Sequence, residues 1–256
     1  MKKLSFDAVI FDLDGVITKT ALVHAKAWKE MFDGYLNERE IKYGEPFREF
    51  THNKDYLPYV DGKPRYKGVE SFLQSRGIYL PFGSPDNPPD KETICGLGNK
   101  KNDEFNKILK RDGAEVYQST IELIKELKNA GIKIGVASSS KNCLAVLEAA
   151  GISSLFNTRV DGVVSAKLNL KGKPEPDIFI AAAKNLNASI ERTVIVEDAV
   201  SGVQAGRKGN FAMVIGLARE NNFEELAING ADVVFSDIAE LGGIKGIEDW
   251  LNSYKN

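Results

Sequence analysis

Residues 11–20 read FDLDGVITKT: the apolar run AVIF (8–11) ends in two aspartates two positions apart, Asp12 and Asp14, and glycine follows at once. A near-continuous apolar run with β-branched members suits a parallel strand covered on both faces. The chain therefore places charge where a buried strand ends. Residues two apart on an extended segment point the same way, so both aspartates can face one reacting atom, one attacking while the other moves a proton. Gly15 then lets the backbone turn tightly away. An isolated DxD of this kind also fits a plain strand-end turn.

Similar runs recur downstream: IKIGVAS (132–138), TVIVED (193–198), FAMVIG (211–216) and ADVVFSD (231–237). Helical periodicity marks 119–130, 141–150, 176–186, 201–208 and 222–228, with Gly131 and Gly151 placed to end two of these helices. This alternation predicts an α/β fold with a parallel sheet. Between residue 20 and about 113 the pattern changes. No apolar strand run appears, helical stretches at 22–32 and 103–110 flank the segment 56–99, and that segment holds six of the nine prolines. One helix is expected within it, at 69–76, and GSPDNPPD must be loop. The reading is a core of residues 1–19 and 114–256 interrupted by a second, mainly helical domain at 20–113. No repeat or low-complexity tract occurs.

Composition narrows the partners. Lys and Arg total 34 against 36 Asp and Glu, a formal charge of -2, interleaved along 256 residues. No basic footprint for nucleic acid stands out. Cys95 and Cys143 are distant and lack CxxC spacing, which argues against a disulfide framework or zinc site and fits a reducing compartment, the cytoplasm. The opening MKKLSFDAVIF starts like a signal peptide, but Asp7 and Asp12 interrupt it, and no apolar run approaches membrane-spanning length. GGIKG near Gly242 lacks the strand and spacing of a dinucleotide loop.

Three of the strand runs end in polar residues: Asp12 and Asp14, then Ser138 to Ser140, then Glu197 and Asp198. In an open α/β sheet ligands bind at the carboxyl ends of the strands. Carboxylates converging there repel one another unless a cation lies between them, and hard oxygen ligands suit Mg²⁺.

The ordered set carries a resemblance. FDLDGVIT, the Ser138 segment VASSSKN, Lys173 in GKPEPDIF, and Glu197 and Asp198 in VIVEDAVSG resemble the four motifs of the haloacid dehalogenase-like superfamily. The resemblance implies a Rossmann-like parallel sheet core with an inserted helical cap. It makes Asp12 the nucleophile, Asp14 the acid/base, Ser138 a phosphoryl-binding hydroxyl and Lys173 the neutralising cation, with Asp12, Asp14, Glu197 and Asp198 around Mg²⁺. Taken singly, Ser138 reads as part of a helix N-cap, Lys173 as surface, and the Glu197–Asp198 pair as a helix cap.

Within the superfamily the match runs furthest toward the sugar-phosphate mutases. FDLDGVITKTALVHAKAWK is similar to their opening, which implies substrate-binding roles for Thr20 and His24. KKNDEF resembles a cap segment and brings in Lys101, while Gly62, Lys63, Pro64 and Arg65 resemble a cap GxxR whose arginine grips a distal phosphate. Ser139, Ser140, Lys141 and Asn142 join Ser138 as phosphate-handling residues. The implied activity interconverts β-D-glucose 1-phosphate and glucose 6-phosphate, with β-glucose 1,6-bisphosphate as priming activator. The alternative is a sugar-phosphate phosphatase using the same Asp12, Asp14, Lys173 and metal. An inactive sugar-phosphate sensor and a dehalogenase rank below both. The expected protein is a monomer acting on a small-molecule sugar phosphate. Lys19 departs from the mutase pattern, where an acidic residue stands, and the middle of the inserted domain is longer.

Overall fold

The computed structural model describes residues 4–60 and 63–253. The chain divides into two compact units, Met1–Thr20 with Ala114–Asn256, and Ala21–Gly113.

In the first unit the apolar runs form a six-stranded sheet: β1 (Ala8–Phe11), β2 (Lys133–Ala137), β3 (Thr158–Val160), β4 (Thr193–Glu197), β5 (Met213–Leu217) and β6 (Val233–Phe235). Their order is β3-β2-β1-β4-β5-β6, with every pair parallel. The chain winds outward from β1 to β3, then returns to the other side of β1 for β4. That central place explains the composition of AVIF, whose four residues are all buried. Ala8, Ile10 and Ile195 share one core cluster with Ile178, Phe179 and Ala182 of helix Asp177–Asn185. Burying one such aliphatic or aromatic side chain is worth about 1.5–3 kcal/mol, so charge is tolerated only where the strand leaves the core.

Register brings the strand ends together. Phe11 lies opposite Val136 and Val196, so Asp12 leaves β1 level with the ends of β2 and β4. The Asp12 N–H extends the ladder to the Val196 carbonyl at 2.9 Å. Strand order reverses between β1 and β4, which is where an open α/β sheet forms its ligand crevice.

The second unit is helical, with no strand among its described residues. Its core is aromatic: Phe32 lies 4.1 Å from Phe72 and 5.0 Å from Phe50 between ring centroids, with Trp28 stacked at 5.3 Å. Such pairs add about 0.5–1.5 kcal/mol each beyond burial.

Three helices there differ from expectation. The first, Thr20–Tyr43, continues past residue 32, because Tyr35 and Leu36 keep the buried stripe going. The second, Arg65–Ser75, starts directly after Pro64, so Arg65 is its first residue and not part of a turn. Gly62 lies outside the described residues. The third, Ile94–Asp112, starts well before residue 103, with the Thr93 hydroxyl accepting from Gly96 N–H at 3.0 Å. Gly96 and Gly98 disguised it, since glycine is a poor helix former. Both are there for close approach: a Cβ on Gly96 would overlap the Lys91 carbonyl, and one on Gly98 would lie 2.6 Å from the Tyr66 ring.

In the first unit β3 and helix Gly162–Lys167 were not foreseen. Nor was helix Gly243–Ser253, which GGIKG opens and which buries Ile247 and Leu251.

Candidate active site

Asp12 sits at the end of β1 with its carboxylate buried. Lys173 Nζ donates to Asp12 Oδ1 at 2.5 Å and also to Glu197 Oε1. Lys173 precedes Pro174 through a cis bond, and its ammonium lies over the Phe179 ring at 5.1 Å. Burial works against the lysine's charge, but Asp12 and Glu197 outweigh it and hold Lys173 protonated. Asp12 is pushed up to about 7, first by burial; Lys173 opposes this, while Glu197 and Asp14 add to it.

Glu197 is fully buried. Its Oε2 accepts from Asp198 N–H at 2.9 Å and Ala199 N–H at 3.0 Å, just ahead of helix Val200–Lys208. The expectation that Glu197 joins the metal ligands is not met by this geometry. Both its oxygens are engaged, one by Lys173 and one by backbone donors, and its place is between the lysine and the loop after β4.

Asp198 is pushed well above the ordinary carboxylate range by burial and then by the charges of Glu197, Asp12 and Asp14, against Lys173. A Cβ on Gly15 would overlap the Asp198 carboxylate. Only glycine at 15, where φ is +82°, lets that carboxylate reach the Asp12–Asp14 segment. Among the described residues no three His, Cys, Asp or Glu side chains form a ready metal cage. What converges is a pair of carboxylates, buried Asp12 and half-buried Asp198, each made costly by its neighbours' charge. That hard-oxygen set fits a divalent cation.

Asp14 accepts a hydrogen bond from the Thr20 hydroxyl. Thr18 Oγ1 lies 2.6 Å from Thr20 Oγ1 and 3.2 Å from the Leu13 carbonyl, and both threonines are fully buried. Thr20, expected to touch substrate, is thus spent on Asp14. Sequence reasoning gave Thr18 no role although it closes the FDLDGVIT motif, because the motif does not tell which way its hydroxyl turns.

The segment after β2 folds on itself. Ser138 N–H bonds the Val160 carbonyl at 3.0 Å, Ser138 Oγ accepts from Ser140 N–H at 3.1 Å, and Ser140 Oγ accepts from Asn142 N–H at 3.1 Å. The next helix, Cys143–Ala149, has no side-chain cap, so these hydroxyls shape the loop instead of capping the helix. Ser139 and Lys141 are exposed. Gly162 N–H reaches the Ser140 carbonyl at 3.1 Å, and a Cβ there would lie 2.6 Å from Ser139 O and 2.9 Å from Lys141 N.

The second unit carries its own polar cluster. Lys101, buried, donates to His24 Nδ1 at 2.6 Å and lies over the Trp28 and Phe105 rings. His24 stacks on Phe105 at 4.2 Å. Burial, then Lys101 and Arg65, hold its pKa well below 6.5, which favours the neutral ring whose Nδ1 accepts a hydrogen bond from the lysine. Arg65 Nη2 donates to Asn102 Oδ1 at 2.7 Å, and burial lowers its pKa.

The family model for haloacid dehalogenase-like hydrolases matches residues 6–210. The chain belongs to that family and is an enzyme of the haloacid dehalogenase-like superfamily. It is 48% identical over 237 residues to a β-phosphoglucomutase of Mycobacterium tuberculosis, covering 91% of this chain and 90% of the relative. Among solved structures, β-phosphoglucomutase of Clostridium difficile is 26% identical with a TM-score of 0.74, covering 97% of this chain and 98% of that one. The CbbY protein of Rhodobacter sphaeroides, solved with xylulose-1,5-bisphosphate, is 25% identical with a TM-score of 0.72, covering 95% and 99%. No helix among the described residues is long and apolar enough to cross a membrane.

Proposed function

We propose that the chain is a Mg²⁺-dependent β-phosphoglucomutase that interconverts β-D-glucose 1-phosphate and glucose 6-phosphate. The observation that carries this reading is the protonated Lys173 held between buried Asp12 and Glu197, in a chain nearly half identical to a β-phosphoglucomutase over almost its full length. An ammonium on the attacking carboxylate tempers its repulsion from phosphoryl oxygens, the task that cations perform in phosphoryl transfer.

The cycle starts with Asp12 phosphorylated by β-glucose 1,6-bisphosphate. The 6-hydroxyl of β-glucose 1-phosphate attacks the phosphorus of phospho-Asp12 as Asp14 takes the hydroxyl proton; the P–O bond to Asp12 breaks and the bisphosphate forms. The Thr20 hydroxyl holds the Asp14 carboxylate in place for that transfer. After the bisphosphate reorients, Asp12 attacks the 1-phosphorus, Asp14 returns the proton to the departing 1-oxygen, and glucose 6-phosphate leaves. Ser138 and the Ser140–Asn142 loop receive phosphoryl oxygens. Asp12, Asp198 and the Asp14 carbonyl would hold Mg²⁺, which when bound offsets phosphoryl charge and favours in-line geometry.

A second phosphate separates a mutase from a phosphatase. Arg65 donates to the Asn102 amide and Lys101 to neutral His24, bonds that leave both cations their charge for a distal phosphate. A mutase must also keep water from the aspartyl phosphate. Supplied with Mg²⁺, β-glucose 1-phosphate and catalytic β-glucose 1,6-bisphosphate, the protein is expected to form glucose 6-phosphate without matching inorganic phosphate. Phosphate release alone would make it a sugar-phosphate phosphatase.

A further inference from the structure

Arg219 stands two residues beyond β5, outside every motif discussed above, and its guanidinium reaches the first loop. Nε donates to the Gly15 carbonyl at 2.7 Å and Nη1 to the Ser236 carbonyl at 2.8 Å. Nη1 also lies 3.7 Å from Asp237 Oδ2. The guanidinium Cζ lies over the Tyr117 ring, 3.7 Å from the ring centroid. Its third nitrogen, Nη2, is buried with no hydrogen-bond partner. Leaving such a donor unpaired costs free energy, so the side chain is a poor choice for simple filling.

Gly15 is where that cost is offset. Its N–H bonds the Thr18 carbonyl at 2.8 Å, its φ is +82°, and the Cβ it lacks would overlap the Asp198 carboxylate. Gly15 therefore stands between Asp14 and the groove that admits Asp198, and Arg219 holds the Gly15 carbonyl on the far side of its Cα. If that carbonyl swings, the Gly15 Cα moves against Asp198 and the two carboxylates lose their relation.

We infer that Arg219 is a positioning residue: it locks the Gly15 turn and so sets the distance at which Asp198 and the Asp12–Asp14 segment share a divalent cation. The guanidinium is needed for its planar fork, which reaches two carbonyls while stacking on tyrosine; lysine would keep the charge and lose the fork. The inference rests on the metal set proposed above.

The test is Mg²⁺ binding by calorimetry to the purified full chain without substrate, for wild type, Arg219→Lys and Arg219→Gln, with kcat and KM for β-glucose 1-phosphate alongside. Residues that orient metal ligands typically change affinity or activity by ~10–100-fold. Folded Arg219→Lys is expected to weaken Mg²⁺ about tenfold and to lower kcat while KM stays near wild type. A merely structural arginine would shift the melting temperature without that split. Folded variants with wild-type Mg²⁺ affinity and kcat overturn the inference. Should both fail to fold, Tyr117→Leu removes one face of the guanidinium's seat and is expected to shift Mg²⁺ affinity in the same direction; an unchanged constant there also overturns it. A wild type that binds no Mg²⁺ overturns the metal reading and this inference with it, whereas wild-type binding with no Mg²⁺ effect in the variants leaves the metal reading standing.

Discussion

The Cβ that Gly202 lacks would fall inside the carboxylate of Glu197. Gly202 lies in the first turn of helix Val200–Lys208, where alanine should gain about 0.5–1 kcal/mol over glycine. Here the sign is expected to reverse. Glu197 must move, and it is the residue that shares Lys173 with Asp12. Overpacking a fitted site costs ~1–3 kcal/mol, and a misplacement of about 1 Å near the chemistry costs on the order of 100-fold in rate. Gly202→Ala should therefore lower both the melting temperature and kcat. A variant that is stabilised and fully active would show that Glu197 has room to spare.

The fold was largely legible because the sheet's inner strands are apolar runs that end where charge begins. Of the strands, β3 was missed: Thr158–Val160 is too short to show a period. Helix Ile94–Asp112 was half hidden because its glycines answer to Lys91 and Tyr66 and not to helix propensity. At the site, spacing tells which residues are adjacent but not which way a side chain turns. Hence Glu197 was placed on a metal, whereas its oxygens meet Lys173 and two backbone donors. Arg219 sits at a strand's carboxyl end, where ligand sites gather, yet a lone arginine without a motif carries no signal of the carbonyl it will find.

Arg65→Ala tests the distal-phosphate reading. A hydrogen bond to a charged group contributes about 1.5–3 kcal/mol, and 1.4 kcal/mol is about tenfold in binding. The concentration of β-glucose 1,6-bisphosphate giving half-maximal activation is expected to rise on the order of 10–100-fold. Asn102 should stay in place, since it keeps its own helix position. An unchanged activation constant would remove Arg65 from that role.

Gly162→Ala probes the loop after β2. Its backbone needs no left-handed φ, so the substitution acts through contact alone: 2.6 Å to Ser139 O and 2.9 Å to Lys141 N. Both are main-chain atoms and cannot rotate aside. The loop must shift, while Asp161 continues to cap helix Gly162–Lys167 through Val163 and Val164. KM for β-glucose 1-phosphate should rise roughly tenfold with a smaller change in kcat, in line with an overpacking cost of ~1–3 kcal/mol. If kcat falls and KM holds, the loop serves the chemical step and not phosphate binding.

Acid stability should depend on Asp55 in the second unit. Burial alone would raise its pKa, but the Thr51 N–H at 2.8 Å, Arg76 Nη2 at 2.8 Å and the Thr51 hydroxyl together hold it below 3.8. A carboxylate depressed on folding stabilises the protein above its unfolded pKa, and that contribution disappears as pH falls through the folded value. Asp55→Asn loses the charged acceptor at neutral pH, a cost of about 1–3 kcal/mol. Trp28 is buried in this unit, and Trp250 is the only other tryptophan, so in a Trp250→Phe background Trp28 fluorescence follows unfolding there. The gap in melting temperature between that background and the same protein carrying Asp55→Asn should stay constant from about pH 7 to about pH 5 and close below about pH 4. A gap that persists unchanged in strong acid would mean that the carboxylate's charge contributes nothing to the fold.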